Sequence, residues 1–342
     1  MRVPAVVAAG DRGAARAIHG ESKAYLAIGE QPLVAQAVQL LQRIPEVSEV
    51  FVVGDAARLE KVLGDDAVVR ELRKPLVIVP QFRNLYENAW ETYRRLLPGA
   101  PPGGRDPAGP ADVDQKVLYV SADLPFATAE EIAEFARRAD ALDCDYALGL
   151  VTAESMEDFY PEPGKPGIHM AYFVTGDGRM RQSNLHLVRP AKLGNRHYIE
   201  EMYEHRYQKQ LRPILGLAWR LLRSEGGGFA VMRAYARLHL TSVLERNGFP
   251  RLAERLARAL PFSRIERVCG RLLKTDFRFV VTEAGGCGVD VDNEPDFDVA
   301  RARYAEWHAA QEAKAQRLYG ALALPERAGA PIAARVVAGG AP

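Results

Sequence analysis

The chain reads as an α/β protein, a three-layer sandwich in which a mostly parallel sheet is covered by helices on both faces. Short apolar runs of strand length alternate with amphipathic helical stretches over the first 150 residues, and that alternation gives parallel strands joined by crossover helices. The length of 342 residues and the 48% hydrophobic content allow a substantial core. Glycine and proline are abundant but not periodic, which excludes collagen-like and solenoid architectures.

In order, residues 3–9 predict the first strand. Pro32 to Leu41 has helical apolar spacing at Leu33, Val34, Ala37, Leu40 and Leu41. Val50-Phe51-Val52-Val53-Gly54 predicts a second strand, 56–63 a helix, and Pro75 to Pro80 a third strand. Asn84 can cap the amphipathic stretch Leu85–Leu97, which stops at Pro98-Gly99. Residues 98–113, rich in Pro, Gly and Ala, predict a mobile loop inserted in the core. Lys116–Val120 is a strand, and Thr128 with Glu131 forms a capping box for the helix after it. Tyr146–Val151 is a further strand, and 169–175 with 183–188 predict a hairpin around Gly176-Asp177-Gly178-Arg179.

From Tyr198 to Lys274 the pattern is helical, broken at Gly226-Gly227-Gly228, Asn247-Gly248 and Pro261. Phe277–Thr282 returns to strand, and Pro295 opens a last helix running to about Tyr319. The expected organisation is therefore a core over 1–200, a helical insert over 201–276, a return strand and helix over 277–321, and a tail without order over 322–342. The net charge of +1 hides an asymmetry, because 206–278 carries 16 basic against 5 acidic residues. The three cysteines form no CxxC pair, so neither a disulfide framework nor a zinc motif is expected, and a reducing cytoplasm fits best. The apolar run at the N-terminus is too short for a membrane span.

Three stretches carry candidate chemistry. The first apolar run breaks into a glycine-bearing loop at Gly10 and Gly13, followed by Arg16 and Lys23, an arrangement that presents backbone donors and cations to phosphates. Asp123 follows a strand directly, where open α/β sheets gather ligands, and a carboxylate there can hold Mg2+ against triphosphate oxygens. Asp290 and Asp292 alternate after a glycine-rich turn, so both can address one ion. Glu294 and Asp296 suit a helix N-terminus. After the third strand, Gln81, Arg83 and Asn84 are placed to meet a base or ribose, although Asn84 is equally suited to capping alone.

Together these stretches resemble the MobA-like nucleotidyltransferases, a branch of the sugar-phosphate and cofactor nucleotidyltransferases. Ala8-Ala9-Gly10, Gly13, Arg16, Lys23 and Gly29-Glu30-Gln31-Pro32-Leu33 match that family's N-terminal signature in order, with two residues between the glycines and Ser22 where the family has proline. Ala122-Asp123-Leu124-Pro125 is similar to its metal-binding segment, and Asp290 to Phe297 to its C-terminal one. The resemblance implies a Rossmann-like (GT-A-like) fold and Mg2+-dependent transfer of NMP from an NTP to a phosphorylated sugar, polyol or lipid. It further implies catalytic roles for Lys23, Arg16 and Asp123, and metal ligation by Asp123, Asp290 and Asp292. Nucleotide contacts would come from Ala8, Ala9, Gly10 and Gly13, with Arg83 and Asn84 nearby, and acceptor contacts from Arg181 and Asn184 on the hairpin.

Two other functions compete. Asp290-Val291-Asp292 is formally a DxD, which admits a glycosyltransferase using a nucleotide sugar; a non-catalytic nucleotide-binding or membrane-associated protein is the third reading. The basic segment suits peripheral contact with an anionic membrane through 206–275 or a plain helical subdomain with a solvated arginine face. It lacks the interleaved aromatics of a nucleic-acid platform.

Overall fold

In a computed structural model of the chain, residues 2–12, 17–196, 228–326 and 334–337 are described. A sheet of nine strands runs through the molecule: β1 (Val3–Ala9), β2 (Val47–Gly54), β3 (Leu76–Pro80), β4 (Val117–Ser121), β5 (Tyr146–Thr152), β6 (Phe173–Thr175), β7 (Gly178–Val188), β8 (Phe277–Thr282) and β9 (Ala334–Val336). Their order is β8-β5-β7-β4-β1-β2-β3-β9, with β6 on β7. Only β7 breaks the parallel arrangement, running antiparallel to β4, β5 and β6.

Side chains alternate across each strand. Val3, Ala5, Val7 and Ala9 of β1 join one buried cluster with helix α1 (Leu33–Arg43), helix α2 (Ala56–Leu63) and helix α4 (Ala129–Ala141), while Val6 joins another with helix α3 (Leu85–Leu96) on the opposite face. Three layers result, as the alternation of runs predicts.

The stretch 98–113 is tied down. Arg105 pairs with Asp112 at 2.5 Å, Tyr93 Oη donates to the Asp112 carbonyl at 2.6 Å, and Pro110–Val113 forms a helical turn. The last helix is two, α8 (Glu294–Ala302) and α9 (Tyr304–Tyr319). Buried Arg303 stands at the break and donates to Glu162, Glu306 and the Pro166 carbonyl. A buried guanidinium needs several acceptors, and leaving the helix lets it reach them. The tail also differs from expectation: Ala334–Val336 pairs in parallel with Leu76–Ile78, because the outer edge of β3 offers unpaired backbone groups that three residues can satisfy.

Within the basic segment, residues 228–273 form helices α5 (Gly228–Arg246), α6 (Pro250–Ala257) and α7 (Phe262–Leu273), broken near Asn247-Gly248 and Pro261 as the sequence indicates. Trp219, Arg220 and Arg223 lie outside the described residues. Among the described residues no helix is long and apolar enough to cross a membrane.

Candidate metal and nucleotide site

The site forms where parallel strands β1 and β4 end side by side, Ala8 opposite Ser121. Asp123 lies two residues past β4, and its Oδ1 accepts from Ser121 Oγ at 2.5 Å. The acids near the C-terminus reach it because the Val291 amide donates to the Asp123 carbonyl at 3.2 Å. Val289 and Val291 are fully buried on one side of this extended stretch, which turns Asp290 and Asp292 to the other. Carboxylate oxygens of Asp123, Asp290 and Asp292 consequently lie within 4.8 Å of one another.

A glycine turn delivers that stretch. Gly285 has φ +99°, and a Cβ on Gly286 would fall 1.9 Å from the Phe126 carbonyl oxygen, so both positions exclude a side chain. Glu131 fixes the turn from below. Its fully buried carboxylate accepts from Thr282 Oγ1 at 2.8 Å and from the amides of Gly285 and Cys287, each at 3.0 Å. The capping box is therefore half realised: Thr128 Oγ1 accepts from the Glu131 amide at 3.3 Å, while the Glu131 carboxylate serves the loop. Replacing Glu131 with Ala leaves three buried donors unpartnered, which costs about 3 kcal/mol. The expected drop in Tm is about 4 °C; a thermal melt superimposing on the wild type would show that these bonds do not hold the turn.

Electrostatics concentrate on Asp290. Burial, and then the negative charge of Asp292, push its carboxyl up to about 6. Arg181 opposes this, with Nη2 2.5 Å from Asp290 Oδ1, and also donates to the Gly288 carbonyl at 2.7 Å and the Ala171 carbonyl at 3.2 Å. Arg181 thus walls the acidic cluster, because a carboxylate this buried requires a counter-charge. Asn184, its expected companion, adopts a left-handed φ of 55° where the β7–β5 register shifts.

Lys23 completes the cluster. It begins a short 3-10 turn, lies 3.6 Å from Asp123 Oδ2 and donates to Asp292 Oδ1. Gly13 and Arg16 lie outside the described residues. Around Gly10 the fit is close: a Cβ there would sit 2.7 Å from Asn88 Nδ2. Asp11 and Gln81 pair reciprocally, amide to Oε1 at 3.0 Å and Nε2 to Oδ1 at 2.8 Å. Arg58 reaches both flanks of the loop, 2.6 Å from Glu21 and 3.8 Å from Asp11, with its guanidinium 3.7 Å over the Tyr25 ring.

After β3, the residues expected on the base side make contacts within the chain. Arg83 Nε donates to Glu87 at 2.9 Å, and Asn84 caps α3 by accepting from the Glu87 amide at 2.8 Å. Gln81, the third residue expected there, and Asn88 face the Gly10 loop. Sequence reading missed Asn88, Arg58 and Glu131, whose partners are far away in the chain; the one local signal was the place of Glu131 in the Thr128 box.

The donor set is three hard carboxylate oxygens beside two cations, which suits Mg2+ rather than a soft transition metal. No family model and no curated protein matches the chain. Among solved structures, a hypothetical transferase from Thermus thermophilus aligns over 86% of this chain and 99% of its own, at 21% identity and a TM-score of 0.53. A CMP:2-keto-3-deoxy-manno-octonic acid synthetase solved with CTP aligns over 90% and 99%, at 12% identity and a TM-score of 0.44. A 4-diphosphocytidyl-2C-methyl-D-erythritol synthase from Anaerococcus prevotii aligns over 89% and 96%, at 12% identity and a TM-score of 0.41. The first of these likenesses establishes that the chain has the α/β fold of that transferase.

Proposed function

We propose that the protein is a Mg2+-dependent nucleotidyltransferase that moves a nucleoside monophosphate from an NTP to a phosphorylated small molecule and releases pyrophosphate. The observation that carries this reading is the convergence of Asp123, Asp290, Asp292 and Lys23 at the carboxyl ends of β1 and β4. The MobA-like motifs at Ala8-Ala9-Gly10 and Lys23 support it, as does the fold. Three unpaired cysteines agree with a reducing compartment.

In the reaction, an oxygen of the acceptor phosphate bonds to the α-phosphorus of the NTP as the bond from that phosphorus to the bridging oxygen breaks. The bridging oxygen leaves with pyrophosphate. Asp123, Asp290 and Asp292 would hold the cation, and Mg2+ bound there supplies fixed positive charge to triphosphate oxygens. Lys23 brings an ammonium to the same edge, where negative charge builds on the leaving group. Arg181 keeps Asp290 ionised and fixed at the carbonyl of Gly288. Gly10 and the Asp11–Gln81 pair shape the loop that would meet the nucleotide.

A second reading, glycosyl transfer from a nucleotide sugar, is favoured by the presence of both DxD acids in the cluster. It ranks lower because those acids follow the edge of the sheet, whereas Asp123 follows central β4. Incubation with each of the four common NTPs, Mg2+ and a panel of sugar, polyol and lipid phosphates is expected to release pyrophosphate only with a matching pair. No release from any pair together with no NTP binding by calorimetry overturns the proposal. Nucleoside diphosphate released from a nucleotide sugar reverses the ranking, and NTP binding without any product points to the non-catalytic reading.

A further inference from the structure

Seven large apolar side chains are exposed among the described residues, and three of them fall within thirteen residues of the helical insert: Leu240 at 48%, Phe249 at 58% and Leu252 at 47%. They lie on α5, on the turn after it and on the first turn of α6. Isolated exposed leucines are ordinary, but a grouping at one corner marks a contact surface. The inward side of α6 is already satisfied, since Ala253 and Ala257 are buried. Phe249, the residue at the N-terminal cap of α6, and Leu252 on its first turn stand exposed outside that inward stripe. Arg251, Arg255 and Arg258 form the outward face and are all exposed.

Charge at this corner is one-sided. Residues 228–273 contain nine arginines and three glutamates, with no lysine or aspartate. Two of the glutamates are engaged by neighbouring elements: Glu245 pairs with Arg179 at 2.5 Å and Glu266 accepts from the Phe279 amide at 2.9 Å. Solvent therefore meets arginines and a single exposed glutamate, Glu254, with apolar side chains among them. A protein partner would have to be both acidic and apolar, and a nucleic acid would find, among the described residues, one largely exposed phenylalanine to stack on. An anionic bilayer satisfies both components at once, its headgroups taking the arginines and its interface the phenylalanine and leucines.

We propose that the α5–α6 corner is a docking surface for an anionic lipid bilayer. The corner is coupled to the hairpin that carries Arg181. Besides the Arg179–Glu245 pair, the Gly176 amide donates to the Leu260 carbonyl at 2.9 Å, the Phe262 amide to Asp177 at 2.6 Å, and Thr241 Oγ1 to the Val174 carbonyl at 3.3 Å. A protein docked by this corner holds the Arg181 hairpin at a fixed place relative to the bilayer. The proposal does not depend on the catalytic reading, because its test reads partition and not turnover.

The test is co-sedimentation of the full chain with vesicles of phosphatidylcholine alone and of phosphatidylcholine mixed with phosphatidylglycerol. Binding is expected only to the mixed vesicles, with a decline as salt is raised. The double variants Phe249→Ser/Leu252→Ser and Arg251→Gln/Arg255→Gln should each weaken it by about tenfold or more. All four positions are exposed, so the melting temperatures should match the wild type. Equal sedimentation with both vesicle types, none with the mixed vesicles, or variants that bind like the wild type would overturn the proposal. So would a solution dimer that the Phe249→Ser/Leu252→Ser variant dissociates, since the corner would then be covered by a second copy.

Discussion

Asp123→Asn is expected to lower the rate of pyrophosphate release by about a thousandfold. The substitution keeps the size of the side chain, and the Val291 amide still meets the backbone carbonyl of residue 123, so the fold should survive. What changes is charge. Three carboxylates face two cations, Lys23 and Arg181, which leaves one net negative charge when all are ionised. Asparagine brings that sum to zero and removes a hard oxygen donor, so a divalent ion loses both its attraction and a ligand. Initial-rate measurements on the folded variant check this. Turnover within a few-fold of the wild type would remove Asp123 from the reacting centre.

Lys23→Met is expected to lower turnover by about a hundredfold or more, with an opposite effect on the metal. The methionine keeps much of the length and loses the ammonium that meets Asp123 and Asp292. Without it the cluster becomes more negative, so cation affinity should rise while the charge on the leaving pyrophosphate goes unanswered. Calorimetric Mg2+ titration beside the rate assay separates the two effects. A variant that loses metal affinity along with activity would show Lys23 acting through the carboxylates and not on the phosphates.

The sheet was legible because its strands are buried on both faces and so read as short continuous apolar runs, as at Val50–Val53. Asp123, Asp290 and Asp292 were legible because each follows a recognisable break, a strand end or a glycine turn. Arg181 was visible as a polar residue on the hairpin, but its attachment to Asp290 depends on residues 109 positions apart meeting across the site. Glu131 shows the limit most clearly: its spacing from Thr128 spells a capping box, yet its carboxylate holds a turn more than 150 residues away. The strand at 334–336 is three residues long, and nothing in Ala-Arg-Val distinguishes it from coil until the open edge of β3 is beside it. Of the two meanings Asn84 had in the sequence, the structure shows its side chain capping α3.

Mn2+ binding in the presence of an NTP, followed by electron paramagnetic resonance on the wild type and on Asp123→Asn, tests the central claim most directly. The wild type should bind Mn2+ with on the order of one ion per chain. Binding should weaken as the pH falls through about 6, because Asp290 then takes up a proton and the cluster loses a negative charge. Asp123→Asn should bind far more weakly at every pH. Mn2+ held equally well by both proteins, or by neither, would contradict a three-carboxylate metal site at the ends of β1 and β4.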